Sequence, residues 1–262
     1  ARQIGTINNE QTFEDFVYVS QLLQAKGIKM AIESHRRHIP YCMGTLYWQI
    51  NDCWPVASWS SIDYYGNWKP LHYAARKAYK DLLVTCKLED EKLNVHVISD
   101  RFYEENGVLH IQLKNFSGKI LHQKKLNVLI KGYAVTKVYS GKCADWMKNQ
   151  NKNEVVLKTE LIIDNSHAAD NLFYFVPEKE LKLSKADIKQ KVKAVEGGFD
   201  IELSSNKLVK DLFLSTGEMG NFFSENYFDL IPGESRRIIC TSKLSLSSFK
   251  KKLKLKSLRD TY

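Results

Sequence analysis

Residues 44–79 read GTLYWQINDCWPVASWSSIDYYGNWKPLHYAARKAY and hold four of the five tryptophans. Residues 43–50, MGTLYWQI, are short, mostly apolar and aromatic, which suits a strand buried on both faces. A helix is expected to follow over PLHYAARKAYKDLL. Its Leu71, Ala74, Ala75, Ala78 and Leu82 fall at helical spacing, and Pro70 sits in the first turn, where proline is tolerated. Upstream, Thr12 and Asp15 form a capping signal ahead of an apolar face made by Phe13, Phe16, Val17, Val19, Leu22 and Leu23. Gly27 interrupts that face. Met30, Ile32 and Ile39 continue it weakly, and Pro40 ends it by forcing extended geometry on its predecessor. Glu33 reads as a surface charge. The first 84 residues are therefore expected to be α/β.

Beyond Val84 the period changes from helical to alternating. LNVHVI, VLHIQLKN, KLNVLIKG, EVVLKTELII and LFYFV are short strands separated by turn-like text such as Glu105-Asn106-Gly107 and Asn115-Phe116-Ser117-Gly118. Strands at this rhythm point to an immunoglobulin-like sandwich. After a linker near Leu181, four more strand-like runs follow over 191–196, 198–204, 210–215 and 235–242, with Pro232-Gly233 as a turn. A second small sandwich fits. The closing run alternates Lys250, Lys251, Lys252, Lys254, Lys256 and Arg259 with Phe249, Leu253, Leu255 and Leu258, as a last strand or a tail would.

Composition bounds the rest. The chain has 262 residues, 44% of them hydrophobic, and a net charge of +9. No apolar run approaches the roughly 18 residues that span a membrane. The basic excess comes without a nucleic-acid motif and reads as a solvated edge, where lysines also oppose sheet-to-sheet association. The five cysteines, Cys42, Cys53, Cys86, Cys143 and Cys240, are odd in number and lack a CxxC pair. Neither a disulfide framework nor a metal site is indicated, and no cofactor is called for. The chain opens at Ala1 in polar text without a methionine, so an excised or processed piece is expected.

The chemistry concentrates in residues 44–68, which hold Trp48, Trp54, Trp59 and Trp68 with Tyr47, Tyr64 and Tyr65. Aromatic faces cover the C–H faces of sugars, while amides and carboxylates such as Gln49, Asn51 and Asp52 bind their hydroxyls. Packing between domains explains the same cluster equally well, and better for any one tryptophan. Trp146 is expected in a core. His35 and His38 lack a paired nucleophile and read as a charged helix end. Gly197-Gly198 and Met219-Gly220 do not make a phosphate loop.

The run over 44–79 resembles the eighth barrel strand of β-mannosidases, a branch of the second glycoside hydrolase family that also holds β-galactosidases and β-glucuronidases. FEDFVYVSQLLQAKGIKMAIESHRR (13–37) resembles the helix before that strand, and NFFSENYFDLIPGESRRI (221–238) resembles the family's C-terminal immunoglobulin-like domain. The resemblance implies a multidomain chain. Residues 1–84 would be the C-terminal remnant of an α/β (β/α)8 barrel, 85–182 a first all-β immunoglobulin-like sandwich and 183–262 a second. It implies a retaining exo-β-mannosidase acting on mannose-containing glycans, with two glutamates about 5 Å apart lying upstream. No catalytic residue is then expected in this chain, which should be inactive alone. Trp48 matches the tryptophan that lines the sugar site, with Asn51, Asp52 and Trp54 as neighbours. The exposed barrel remnant should pack on the first sandwich or on a second copy, giving a homo-oligomer. Relatives are periplasmic or extracellular when bacterial and lysosomal when animal. The competing readings are a non-catalytic glycan-binding or structural sandwich module and a β-galactosidase or β-glucuronidase relative.

Overall fold

The structure, a computed structural model, describes residues 12–262. The first element is one unbroken helix, α1 (Phe13–Arg37), started by the expected capping box: Asp15 N–H donates to Thr12 Oγ1 at 3.2 Å and Thr12 N–H to Asp15 Oδ2 at 3.1 Å. Gly27 does not break it, since one glycine costs a helix only about 1 kcal/mol and tertiary packing offsets that. The buried face is Tyr18, Val19, Leu22, Ala25 and Ile32, whereas Phe13 and Phe16 are exposed. Glu33 is not a surface charge. It is buried beside Lys29 at 3.1 Å and Arg37 at 4.0 Å, its helical neighbours one turn away on either side.

Residues 43–50 form no strand, contrary to expectation. A strand of a parallel barrel needs partners on both edges, and none lies alongside among the described residues. The segment is instead an open loop, with Leu46 87% exposed. Among the described residues neither a barrel nor any part of its sheet is formed. The second helix, α2 (Pro70–Ala78), packs along α1 through Ala75, Ala78 and Ile32, with Tyr47 against them. It stops short of Leu82 because Leu82 opens a strand. Both faces of that strand are covered, so Leu82, Leu83 and Val84 form a continuous apolar run that mimics a helix end.

The first sandwich is built from β1 (Leu82–Glu89), β2 (Lys92–Ser99), β3 (Glu105–Asn115), β4 (Ile120–Ile130) and β5 (Ala134–Lys142). The short α3 (Cys143–Met147) follows, then β6 (Val155–Ile163) and β7 (Ser166–Phe173). They form an antiparallel sheet β1-β2-β5 facing a sheet β4-β3-β6-β7. Leu93, Val95 and Val97 of β2 meet Leu109, Ile111 and Leu113 of β3 in one core. Trp146 plugs that core, its indole N–H donating to the Tyr139 hydroxyl at 2.8 Å. Residues 105–107 are strand rather than turn; the chain reverses over 100–104.

The second sandwich has β8 (Ile188–Val195), β9 (Gly198–Ser205), β10 (Val209–Ser215), β11 (Phe222–Phe223), β12 (Phe228–Leu230) and β13 (Ser235–Thr241). Helix α4 (Leu246–Lys252) and β14 (Lys254–Lys256) close it. The sheets are β11-β13-β9-β8 and β12-β10-β14. The lysine-rich end is thus a helix and a short strand, with Phe249 buried and stacked on Phe199 at 4.0 Å. One apolar cluster ties the chain together: Tyr18, Val19 and Leu22 of α1 meet Val156 of the first sandwich and Leu181, Leu208, Ile231 and Leu258 of the linker and second sandwich.

Candidate functional site

The loop between α1 and α2 presents its aromatic side chains to solvent. Trp48 is 74% exposed, and Trp54, Trp59, Tyr64 and Tyr65 are exposed as well. The backbone beneath them is fixed without regular structure. Asp52 N–H donates to Ile62 O at 3.1 Å, Ile62 N–H to Ile50 O at 2.8 Å, and Lys69 N–H to Ser61 O at 2.9 Å. Gln24 of α1 holds the loop from below, its side-chain amide donating to Trp59 O at 2.7 Å. The Trp48–Gln49 peptide is cis.

Asn51 is exposed, its amide donating only to the neighbouring Asp52 O at 3.2 Å. Asp52 differs: its side chain is 2% exposed. Its carboxylate accepts from Ser58 Oγ and Ser60 Oγ, both at 2.6 Å, and from Lys69 Nζ at 3.3 Å. The hydrogen bonds from Ser58 and Ser60 hold its carboxyl below the usual range. Asp52 therefore knots the loop, while Trp48, Asn51 and Trp54 face outward. Sequence reasoning missed Ser58, Ser60 and Lys69, because no spacing rule links a carboxylate to hydroxyls six and eight residues on.

Other chemistry in this region is closed off. Ser61 Oγ lies 2.9 Å from His72 Nδ1, the geometry of a nucleophile and its base. The serine is fully buried and also donates to Ile50 O at 2.9 Å, so no substrate reaches it. Burial, then Arg76, pushes the His72 imidazole below its ordinary value. Asp63 accepts from Tyr65 N–H, Asn67 N–H and the Asn67 amide at 2.8–2.9 Å, capping its own turn. Trp68 is a packing residue, its ring 4.2 Å from His72 and 4.8 Å from Phe222 of the second sandwich. His35 Nδ1 meets Thr45 Oγ1 at 2.8 Å. Cys42 and Cys53 are unbridged, and no three metal-ligating side chains gather among the described residues. No helix among them is long and apolar enough to cross a membrane.

Comparison with known proteins fits this arrangement. A family model described as a mannosidase Ig/CBM-like domain matches residues 91–180, and one described as an Ig-fold domain of mannosidases matches 183–261. A β-D-mannosidase from Dictyoglomus thermophilum superposes with a TM-score of 0.85 at 25% identity, over 98% of this chain and 31% of that one. The chain is related to the C-terminal portion of the family 2 β-mannosidases. Among curated β-mannosidases, that of Capra hircus is 28% identical over 95% of this chain and 30% of its own length. β-Mannosidase A of Aspergillus terreus is 29% identical over 86% and 26%. The chain thus spans about a quarter to a third of the length of these β-mannosidases. An exo-chitosanase of Amycolatopsis orientalis, at 16% identity and a TM-score of 0.68, shares the fold.

Proposed function

We propose that this chain is the C-terminal part of a retaining exo-β-mannosidase that removes terminal non-reducing β-D-mannose from glycans. In this reading residues 1–84 complete a (β/α)8 barrel, and 85–182 and 183–262 are two immunoglobulin-like sandwiches that support it. The observation that carries it is the match to a mannosidase over nearly the whole chain, including the aromatic loop. Residues 43–50 are open here because the neighbouring barrel strands belong to the rest of the protein. In a completed barrel they would become the eighth strand and bring Trp48 to the C-terminal rim, where barrel enzymes bind substrate.

Trp48 would cover one face of the mannose ring, with Trp54 beside it and Asn51 reaching a hydroxyl. Asp52 would act indirectly, by keeping these groups in place through Ser58, Ser60 and Lys69. Retaining hydrolysis needs a free carboxylate and a carboxylic acid about 5 Å apart. The carboxylates of this loop, Asp52 and Asp63, are both saturated by internal hydrogen bonds. The chain alone should therefore be inactive.

The test is turnover of an aryl β-mannoside. The full-length protein should hydrolyse it with retention of configuration, and the 262-residue chain should not. Turnover by the chain alone, or inversion by the full-length protein, would refute the proposal. Alone, the chain should also self-associate through its exposed aromatic loop.

A further inference from the structure

One buried serine grips the chain on both sides of Trp48. Ser61 N–H is shared between Gln49 O and Ile50 O, at 3.1 Å each, and Ser61 Oγ donates to Ile50 O at 2.9 Å. The Tyr47 hydroxyl lies 3.0 Å from the same Oγ, and His72 Nδ1 lies 2.9 Å from it. Ser61 thus holds the residue before Trp48 and the two residues after it.

The direction of these bonds follows from counting protons. A serine hydroxyl donates one hydrogen bond and accepts two. With its own proton on Ile50 O, Ser61 Oγ accepts from the Tyr47 hydroxyl and from His72, so the ring proton of His72 stands on Nδ1. Burial, then Arg76, lowers the imidazole's affinity for a second proton, which keeps the ring neutral near neutral pH. Ser61 is fully buried, so losing either partner leaves a polar group unpaired.

His72 is itself set by the second sandwich. Its ring lies edge-on to Trp68 at 4.2 Å, and Trp68 packs on Phe222 of β11 at 4.8 Å. Beside it on α2, the Tyr73 hydroxyl donates to Phe223 O at 3.0 Å and Arg76 to Ser224 O at 2.6 Å. Tyr47 packs against Ile32 of α1 and Ala75 and Ala78 of α2. A line of fixed contacts runs from β11 through α2 and Ser61 to the backbone of Trp48.

We propose that Ser61 and His72 are positioning residues for the sugar site: they set the backbone from which Trp48 projects and tie it, through α2, to the second sandwich. The role of Trp48 at a sugar rests on the glycosidase reading above; the grip on its backbone rests on these hydrogen bonds alone. Rates depend steeply on where a substrate is held, so a tryptophan that drifts misplaces the sugar.

Two measurements on the 262-residue chain test the grip. The imidazole nitrogen resonances of His72 should show the neutral ring protonated on Nδ1. Backbone amide relaxation over residues 47–50 should report order in the unsubstituted chain and added mobility in Ser61→Ala, with Trp146 unaffected. A ring proton on Nε2, or relaxation unchanged by the substitution, would overturn the proposal. In the full-length protein, kcat/KM for an aryl β-mannoside should fall about tenfold in Ser61→Ala and in His72→Phe, mostly through kcat. His72→Asn, whose amide places a donor where Nδ1–H stands, should restore most of it. A lowered melting temperature with unchanged kcat/KM, or His72→Asn as impaired as His72→Phe, would also overturn the proposal. No turnover by the unsubstituted full-length protein would count against the glycosidase reading, and the two measurements on the chain alone would still decide whether Ser61 and His72 hold Trp48.

Discussion

Asp52 and Asp211 show how much a carboxylate's role depends on its surroundings. The aromatic content of residues 44–68 was plain in the sequence, and most of those rings are indeed exposed. The burial of Asp52 was not, because its partners lie six, eight and seventeen residues away and meet it only after the loop folds back. Asp211 sits at positive φ in an irregularity of β10, where Lys210 Nζ approaches its carboxylate at 2.8 Å and Asp229 Oδ1 at 3.2 Å. The Tyr18 hydroxyl of α1 donates to the Asp211 carbonyl oxygen at 2.5 Å, and the Tyr174 hydroxyl to Asp229 at 2.7 Å. Burial pushes the Asp211 carboxyl up to about 6, against the pull of Lys210. Its unfolded value is about 4, so the fold binds this proton more readily than the unfolded chain does. Asp211 therefore adds stability as pH falls from about 6 towards 4, and withdraws it as pH rises. Asp211→Asn, which tolerates positive φ, should flatten that part of the melting temperature's pH profile. Identical slopes in the two proteins would show that Asp211 is not protonated in this window.

The elements were legible where period and burial agreed. The strands over 108–115, 198–204 and 210–215 emerge close to expectation, since each buries mainly one face and alternates, and that over 93–98 emerges too although both its faces are largely covered. β5 escaped notice because AVTKVYSGK is only partly buried and carries little alternation. The strand over 43–50 failed for the opposite reason: the pattern is right, but no strand lies alongside it among the described residues. Trp146 met expectation, and Trp146→Ala should cost about 3–5 kcal/mol, read as a lower denaturation midpoint. The helical part is anchored through α1, which is built into the cluster joining both sandwiches. Arg36 adds to this, its guanidinium donating to Ala78 O at 2.5 Å and to Asp100 at 2.8 Å. Amide exchange should therefore be slow in the middle of α1 and fast over residues 41–59, where most backbone groups face water. Equal protection in α1 and that loop would contradict this division.

At the scale of the whole molecule, two sandwiches and two helices form a scaffold that carries an exposed aromatic surface. The order of domains could be read from the change of period near Val84 and the linker near Leu181. What the surface is for could not; on the function proposed above, its chemistry is completed by groups outside this chain. The proposed function requires that Trp48 face a sugar once the barrel is complete. At 74% exposure it contributes little packing here, so Trp48→Ala in the isolated chain should change stability by no more than about 0.5 kcal/mol. In the full-length protein the same substitution should misplace the sugar relative to the nucleophile and cost about 2 kcal/mol of transition-state stabilisation. The deciding measurement is kcat/KM for an aryl β-mannoside in full-length Trp48→Ala, taken together with its melting temperature. Catalytic efficiency should fall about thirty-fold with the melting temperature little changed. Unchanged efficiency with a lowered melting temperature would show that Trp48 packs the barrel and does not touch the sugar.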